Sequence, residues 1–428
     1  VMLVKIGSAW PDSLPQGWAF ERIGQLFELR NTSTTSLLDA PLSVTKAGVV
    51  EQLDQVALSV DGAPKKLVKP GDIVINSRSD RKGSAGVAPR RGSVSVISTV
   101  LMPRSIDARY AHHVMRSVPF QEEFYRYGSG IVADLWSTRW SEMKSIRLPV
   151  PNAAEQRAIA DFLDHETAEI DALVRDQVRF QELTVERDQA VISRLGHCAE
   201  RTIPLRRLAS VTLGKMIPTG DWTQQLGADS LLMPYLRAAH VQPGGLLVFE
   251  DDVKKMPFSP SEASLLSISR GDVVVVEGGA GFGRSAVIES DMNGWGFQNS
   301  INRIRMNQAE MEPWFIHLIL RGLLERGDLA IMTNQATIPH LTAEKLAAVP
   351  IPWVPYVEQR LRLEQVRGQL DDSSELRNFS RNVVALAKER RAALISAAVT
   401  GQIDVTAKRK PAAEQLEDDI AQGVHTSS

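Results

Sequence analysis

Two stretches of the chain carry the hydrophobic spacing of long helices, and they repeat each other. In the first, apolar residues recur three, four or seven apart through Phe162, Leu163, Ile170, Leu173 and Phe180, with no proline or glycine between Glu155 and Gly196. In the second, Val366, Leu370, Leu376, Phe379, Val383 and Leu386 follow the same spacing. Glu155-Gln156-Arg157 opens one stretch and Glu358-Gln359-Arg360 the other, at an offset of 203. Glu186-Arg187 and Glu389-Arg390 keep that offset. The tetrapeptides Leu148-Pro-Val-Pro151 and Val349-Pro-Ile-Pro352 introduce them. Positions 163, 170, 177, 184 and 191 fall seven apart, but Gln177 and Thr184 interrupt the apolar stripe. The second stretch has its better stripe in the distal half, from Leu376 to Ala397. Neither is a self-sufficient zipper. Two imperfect stripes can cover each other, which predicts an antiparallel helical pair whose leftover positions are free for partner helices.

The region before each helix alternates in the way of short strands. Pro41–Thr45, Lys69–Ile75 and Gly92–Ile97 are bounded by Gly, Pro and Ser, and Tyr110–Tyr127 has a helical stripe. Residues 201–349 repeat this in altered form. Gly271-Asp-Val-Val-Val-Val276 corresponds to Gly71-Asp-Ile-Val-Ile75, and Ile338–Lys345 aligns with Ser137–Lys144 at an offset of 201, lysine on lysine. The expected fold is therefore α/β, with α+β globular domains at 1–151 and 201–352. Helical spacers at 152–200 and 353–404 follow them, and the polar residues 405–428 read as a disordered tail.

A chain of 428 residues suits two or three domains. No apolar run reaches the length of a membrane span, and Val1-Met-Leu-Val-Lys-Ile6 is too short for a signal peptide, so a cytoplasmic location is expected. The lone Cys198 excludes an internal disulfide. The net charge of −2 hides an asymmetry: residues 1–151 hold 19 basic against 14 acidic side chains, and residues 201–350 hold 14 against 15.

Catalytic chemistry finds little footing. Val273–Arg284 is a strand followed by a glycine-rich loop. A phosphate cradle also needs Gly-Lys-Ser/Thr or a helix start after the turn, and Ser285–Ile288 reads as another strand. A nucleotide site and a β-loop both stay open there. Asp252-Val-Lys254 is too short a pattern to mark a nuclease, and His112, His113, His165, His317 and His340 lack metal-ligand spacing. Binding is the better supported class. A 43-residue helix is about 65 Å long, and one DNA turn is about 34 Å. Domains on such a rod can grip two places on a duplex. The loops offer donors for phosphates and base edges: Asn76, Arg78, Arg81, Lys82, Arg90 and Arg91 in the first domain, and Lys215, Arg237, Arg284, Gln298, Asn299, Asn302, Arg303 and Arg305 in the second.

The paired motifs carry a resemblance. Leu/Val-Pro-x-Pro before Glu-Gln-Arg, Ile170-Asp171, Glu186-Arg187 and Ala398-Val-Thr-Gly-Gln-Ile-Asp404 together resemble the specificity subunit of type I restriction–modification systems. Gly283-Arg-Ser-Ala286 and Gln298–Arg305 add to it, whereas the first domain has Val96–Pro103 opposite the latter. The resemblance implies a non-catalytic DNA-binding subunit in which two target-recognition domains read a bipartite double-stranded site. It also implies that the helices space these domains and dock modification (methyltransferase) subunits, two of them, with restriction/translocase subunits in the full complex. Glu155, Gln156, Phe162, Leu163, Ile170, Leu173, Phe180, Glu358, Gln359, Val366, Leu370, Leu376, Val383 and Leu386 are the expected spacer and docking positions. No metal or cofactor is expected on this chain; S-adenosylmethionine, ATP and Mg belong to the partners. The alternative is a coiled-coil adaptor that binds protein and not DNA.

Overall fold

The computed structural model describes residues 9–36, 39–52, 64–78, 83–130, 136–195, 199, 201–216, 229–307, 311–333 and 339–405. The chain divides into two compact units, residues 1–177 with 382–428, and residues 178–381. Arg81, Lys82, Cys198 and residues 406–428 of the expected tail lie outside the described residues.

A four-stranded antiparallel sheet anchors each unit. In the first, β1 (Phe27–Leu29), β2 (Ile73–Asn76), β3 (Ala85–Val87) and β4 (Ser98–Pro103) lie in the order β1-β4-β2-β3. In the second, β5 (Ala209–Leu213), β6 (Val273–Val276), β7 (Ser285–Val287) and β8 (Ile301–Met306) lie in the order β5-β8-β6-β7. The topology is the same. Successive side chains of a strand point to opposite faces, so β2 and β6 each serve two cores. Ile73 and Ile75 enter one cluster and Val74 another, as Val273 and Val275 separate from Val274 and Val276.

Strand register corrects two alignments read from the sequence. Ser98 pairs with Asn76 where Ile301 pairs with Val276, and Leu101 with Ile73 where Ile304 pairs with Val273. Residue 98 therefore corresponds to 301, which moves Val96–Pro103 one residue along from its expected place opposite Gln298–Arg305. Likewise the Thr138 amide donates to Ser77 O at 2.9 Å and the Leu341 amide to Glu277 O at 2.8 Å. Lys345 consequently lies over Glu142, and the lysine match with Lys144 does not hold.

The paired motifs acquire physical roles. The proline tetrapeptides form strands Arg147–Val150 and Pro350–Pro352, each in a two-stranded ribbon with Ala19–Arg22 or Thr202–Pro204, where missing proline amides are tolerated. Gln156 and Gln359 are buried and make equivalent ties. Gln156 Oε1 accepts from the Asp107 amide (2.8 Å) and its Nε2 donates to Pro151 O (2.8 Å); Gln359 accepts from the Glu312 amide (3.1 Å) and donates to Val354 O (2.7 Å). Each glutamine thus pins the start of a long helix to the start of a domain helix. The Gly-Asp pairs also match. Gly71 and Gly271 turn at φ of 85° and 88°, a conformation that suits glycine, and let Asp72 and Asp272 accept the amides of Lys69 and Ser269.

The expected helix from Tyr110 to Tyr127 is two, α1 (Ala108–Arg116) and α2 (Val118–Arg126). Ser117 caps the second with its hydroxyl, and Pro119 in the first turn cannot continue the preceding helix. In the second unit α4 (Pro313–Glu325) occupies the corresponding place after the sheet.

The two long helices are α3 (Ala153–Arg194) and α5 (Tyr356–Val399). Within each unit their portions run antiparallel, with partner numbers falling as residue numbers rise. In the second unit Gln181 meets Ser380, Asp188 meets Arg377 at 2.6 Å, and Leu195 O accepts from Arg362. In the first, Ile159, Ala160 and Leu163 share a core with Ile395, Ala398 and Val399, and Asp171 pairs with Arg391. The seam follows the seven-apart line of α3 but departs from the apolar stripe of α5. On α3 the buried line is Leu163, Ile170, Thr184 and Val191; on α5 it is Val366, Ser373, Ser380 and Ala387, seven apart. Small side chains let the backbones approach. Leu173, Phe180, Leu183, Leu376, Phe379 and Leu386 are displaced outward and exposed.

Candidate nucleic-acid interface

In the second unit the candidate side chains converge on one end of the sheet, where β5 and β6 finish and β7 and β8 begin. Backbone hydrogen bonds stitch this end together. The Lys215 amide donates to Phe297 O, that of Asn299 to Lys215 O, that of Gln298 to Leu236 O, and that of Val276 to Arg284 O, all at 2.8–3.0 Å. Lys215, Arg237, Arg284, Gln298 and Asn299 are thereby gathered, each half-buried in its backbone setting. The glycine-rich stretch is a single turn, Gly279–Gly281, that leads into the strand β7 and not into a helix, so the β-loop reading fits.

Asn302 and Arg303 leave this group. Asn302 is fully buried and donates to Leu341 O at 2.8 Å; Arg303 donates to Leu265 O and Ser267 O at 3.0 and 2.6 Å. Burial pulls the Arg303 guanidinium below its usual pKa. Both hold the sheet to its surrounding loops. Their counterparts in β4, Thr99 and Val100, are buried as well, and an apolar counterpart was the signal available for Arg303. Arg305 is equally structural: it forms a two-pronged pair with the buried Asp272, both contacts 2.7 Å.

The first unit splits its candidates between two ends of the β2–β3 hairpin. Asn76 and Arg78 stand at the end equivalent to the cluster above, the Arg78 amide donating to Asn76 Oδ1 at 3.1 Å. Arg90 and Arg91 stand at the other end, just past Ala88, whose amide bonds to Asp72 O at the start of β2. They pair with Glu51 and Asp39 at 2.7 Å each. The Asp39 bond raises the Arg91 pKa and lowers that of Asp39.

Carboxylates were the part of the site that the sequence reading missed. Lys215 pairs with Glu262 and Arg237 with Glu250. The Lys215 bond, followed by that from the Ser259 amide, holds the Glu262 carboxyl below its usual range. The capping pattern Ser259-x-x-Glu262 was its visible signal. A phosphate must compete with such partners. Among the described residues Arg78 and Arg284 make no ion pair, which leaves them ready for an anion.

The spacer positions sort by burial. Leu163, Ile170, Val366, Gln156 and Gln359 are internal, Phe162, Leu370, Val383 and Glu155 half-buried, and Leu173, Phe180, Leu376, Leu386 and Glu358 exposed. Gln156 and Gln359 are therefore ties within their units, not docking groups. The outward apolar face is the surface available to partners. Among the described residues no group of three metal-ligating side chains occurs, and no helix is long and apolar enough to cross a membrane.

Known proteins share this architecture. A chain from a study of complex assembly and conformational transition of the type I R-M system superposes with a TM-score of 0.69, covering 92% of this chain and all of that one at 15% identity. The HsdS subunit from Thermoanaerobacter tengcongensis gives 0.52, covering 92% and 99% at 16% identity. The fold is that of type I specificity subunits. In sequence the chain is similar to the type I restriction enzyme StySPI specificity subunit of Salmonella potsdam, 22% identical over 391 residues that make up 84% of each protein. No model of a protein family matches the chain. The resemblance carried by the helical motifs is borne out over most of its length.

Proposed function

We propose that the chain is a non-catalytic, sequence-specific DNA-binding specificity subunit of a type I restriction–modification complex. Its two domains each read one half of a bipartite duplex site. The observation that carries this reading is the repeated sheet with unlike endings. One strand order supports different polar groups at the same end, Lys215, Arg237, Arg284, Gln298 and Asn299 in one unit and Asn76 and Arg78 in the other. Two different half-sites require that combination: a common frame for placement and different donors for base edges. The exposed apolar residues of α3 and α5 dock modification subunits, which supply methyl transfer.

The test is binding of the assembled complex to bipartite duplexes at graded salt. Affinity should fall steeply with salt as phosphates are neutralised. Exchanging residues 201–352 for those of a relative should change one half-site and leave the other. Inserting seven residues after both Leu173 and Leu376 should lengthen the gap between half-sites. A single short continuous footprint, or assembly with protein partners without DNA selectivity, would support the adaptor alternative and overturn the proposal.

A further inference from the structure

The first unit carries a surface that the basic and amide candidates do not account for. After α2 the chain turns at Gly128 and returns along Trp136-Ser137-Thr138 to the end of β2. Ser129 and Ser137 exchange backbone bonds of 3.0 Å, the Thr138 amide bonds to Ser77 O, and the Thr138 hydroxyl donates to Phe124 O. This brings the Trp136 ring over Tyr125, with centroids 5.4 Å apart and planes 25° from parallel. The indole Nε1 donates to Tyr125 O at 2.9 Å. Gly128 makes the approach possible, since a Cβ there would sit 2.3 Å from that nitrogen.

The stacked pair lies at the same sheet end as Asn76 and Arg78, and all four side chains border one small cavity that also touches Phe120 and Phe124. At about 20 Å³ that cavity has room for a water and nothing larger. The usable surface is the outer one, where Tyr125 is 40% exposed beside the exposed Arg78. A rigid aromatic pair offers contact area at little cost in side-chain entropy, and an adjacent guanidinium supplies the attraction to a phosphate.

We propose that Tyr125 and Trp136 form a DNA-contacting platform of the first domain, packing on the apolar surface of the duplex while Arg78 holds the neighbouring phosphate. The proposal rests on the DNA-reading function argued above. Apolar surface on a duplex has two sources, the thymine 5-methyl group in the major groove and the faces of the deoxyribose. Arg78 at the same end commits the platform to a polyanion. A protein partner for this patch is an outcome of the test.

The experiment uses the full complex with its modification subunits and measures competition binding to its bipartite duplex. Tyr125→Ala should weaken binding about tenfold through one half-site, with the base preference of the other half and the salt slope unchanged. Arg78→Ala should instead reduce the salt slope by about one. Trp136→Ala should match Tyr125→Ala, and Trp136→Phe, which keeps a ring, should recover most of the loss. Unfolding midpoints equal to that of the unaltered complex separate contact loss from misfolding, and Tyr125 is exposed enough to make that comparison clean. With binding weakened, replacing thymine by uracil in that half-site distinguishes the two sources. A penalty in the unaltered complex that vanishes in Tyr125→Ala assigns the methyl group, and no penalty assigns the sugar. Wild-type binding by both alanine variants overturns the platform, as does a defect confined to assembly with protein partners. An unaltered complex with no preference for a bipartite site overturns the underlying function instead, and the platform falls with it.

Discussion

At the start of β2, Asp72 receives the guanidinium of Arg30, which follows the edge strand β1; at the start of β6, Asp272 receives that of Arg305, from the central strand β8. Both carboxylates are buried and both accept an amide three residues earlier. What the two units share is therefore a buried charge that must be neutralised, not the position of the residue that neutralises it. The same holds at the loop ends, where one frame presents different side chains. Local sequence can change freely so long as the burial and charge of the frame are kept.

The strongest way to break this comparison is to remove the two arginines. Arg30→Ala strands a buried carboxylate in the first unit and should cost it about 3 kcal/mol, and Arg305→Ala should cost the second about 2 kcal/mol because Arg305 is more exposed. Hydrogen exchange resolved by unit reads both. Met102, the counterpart of Arg305, should tolerate alanine with no comparable loss. Next in size are the glutamine ties: Gln156→Leu and Gln359→Leu each leave a buried amide and a carbonyl unpaired and should destabilise their own units by about 2 kcal/mol, measured in the same way.

Acidification tests a feature the two units share. Burial pushes His112 in the first unit and His317 in the second down to about 3, so both are neutral when folded. As pH falls below about 6.5 the unfolded chain takes up protons that the folded one refuses, and stability drops by about 1.4 kcal/mol per pH unit per histidine until the folded values are reached. His113 in the first unit and His240 in the second are lowered by burial in the same sense, whereas Asp164, lowered chiefly by its bond from His113, loses its contribution only below the usual carboxylate range. Both units should thus soften between pH 6.5 and 5, each through two histidines, as exchange rates across that range will report. Smallest for the fold is Phe379→Ser, which should change stability by less than about 0.5 kcal/mol, since the ring is 69% exposed, while weakening partner docking in a titration with modification subunits.

The helices show how far sequence could lead. Offset, length and direction were legible because Glu-Gln-Arg and Leu/Val-Pro-x-Pro repeat and because proline and glycine punctuate the chain. The seam on α5 was not. Ser373 and Ser380 have the composition of a solvated face, and Leu376 and Phe379 that of a core, yet close helix approach favours the small residues. Periodicity measures how apolar a face is, and it is blind to which surface covers it. Arg303 was misplaced for a related reason: composition put it outside, and strand register, which sets it opposite an apolar counterpart, puts it beneath a loop.

The boundary between the units passes through both long helices, and this has a consequence for how the chain is made. Residues 178–381 form one uninterrupted segment and can complete their core as soon as they emerge. The other unit closes only when residues 382–399 arrive to cover Ile159, Ala160 and Leu163 with Ile395, Ala398 and Val399. The domain translated first is thus finished last, and until then the apolar face of its helix stays open, the time in synthesis when the chain is most exposed to wrong association.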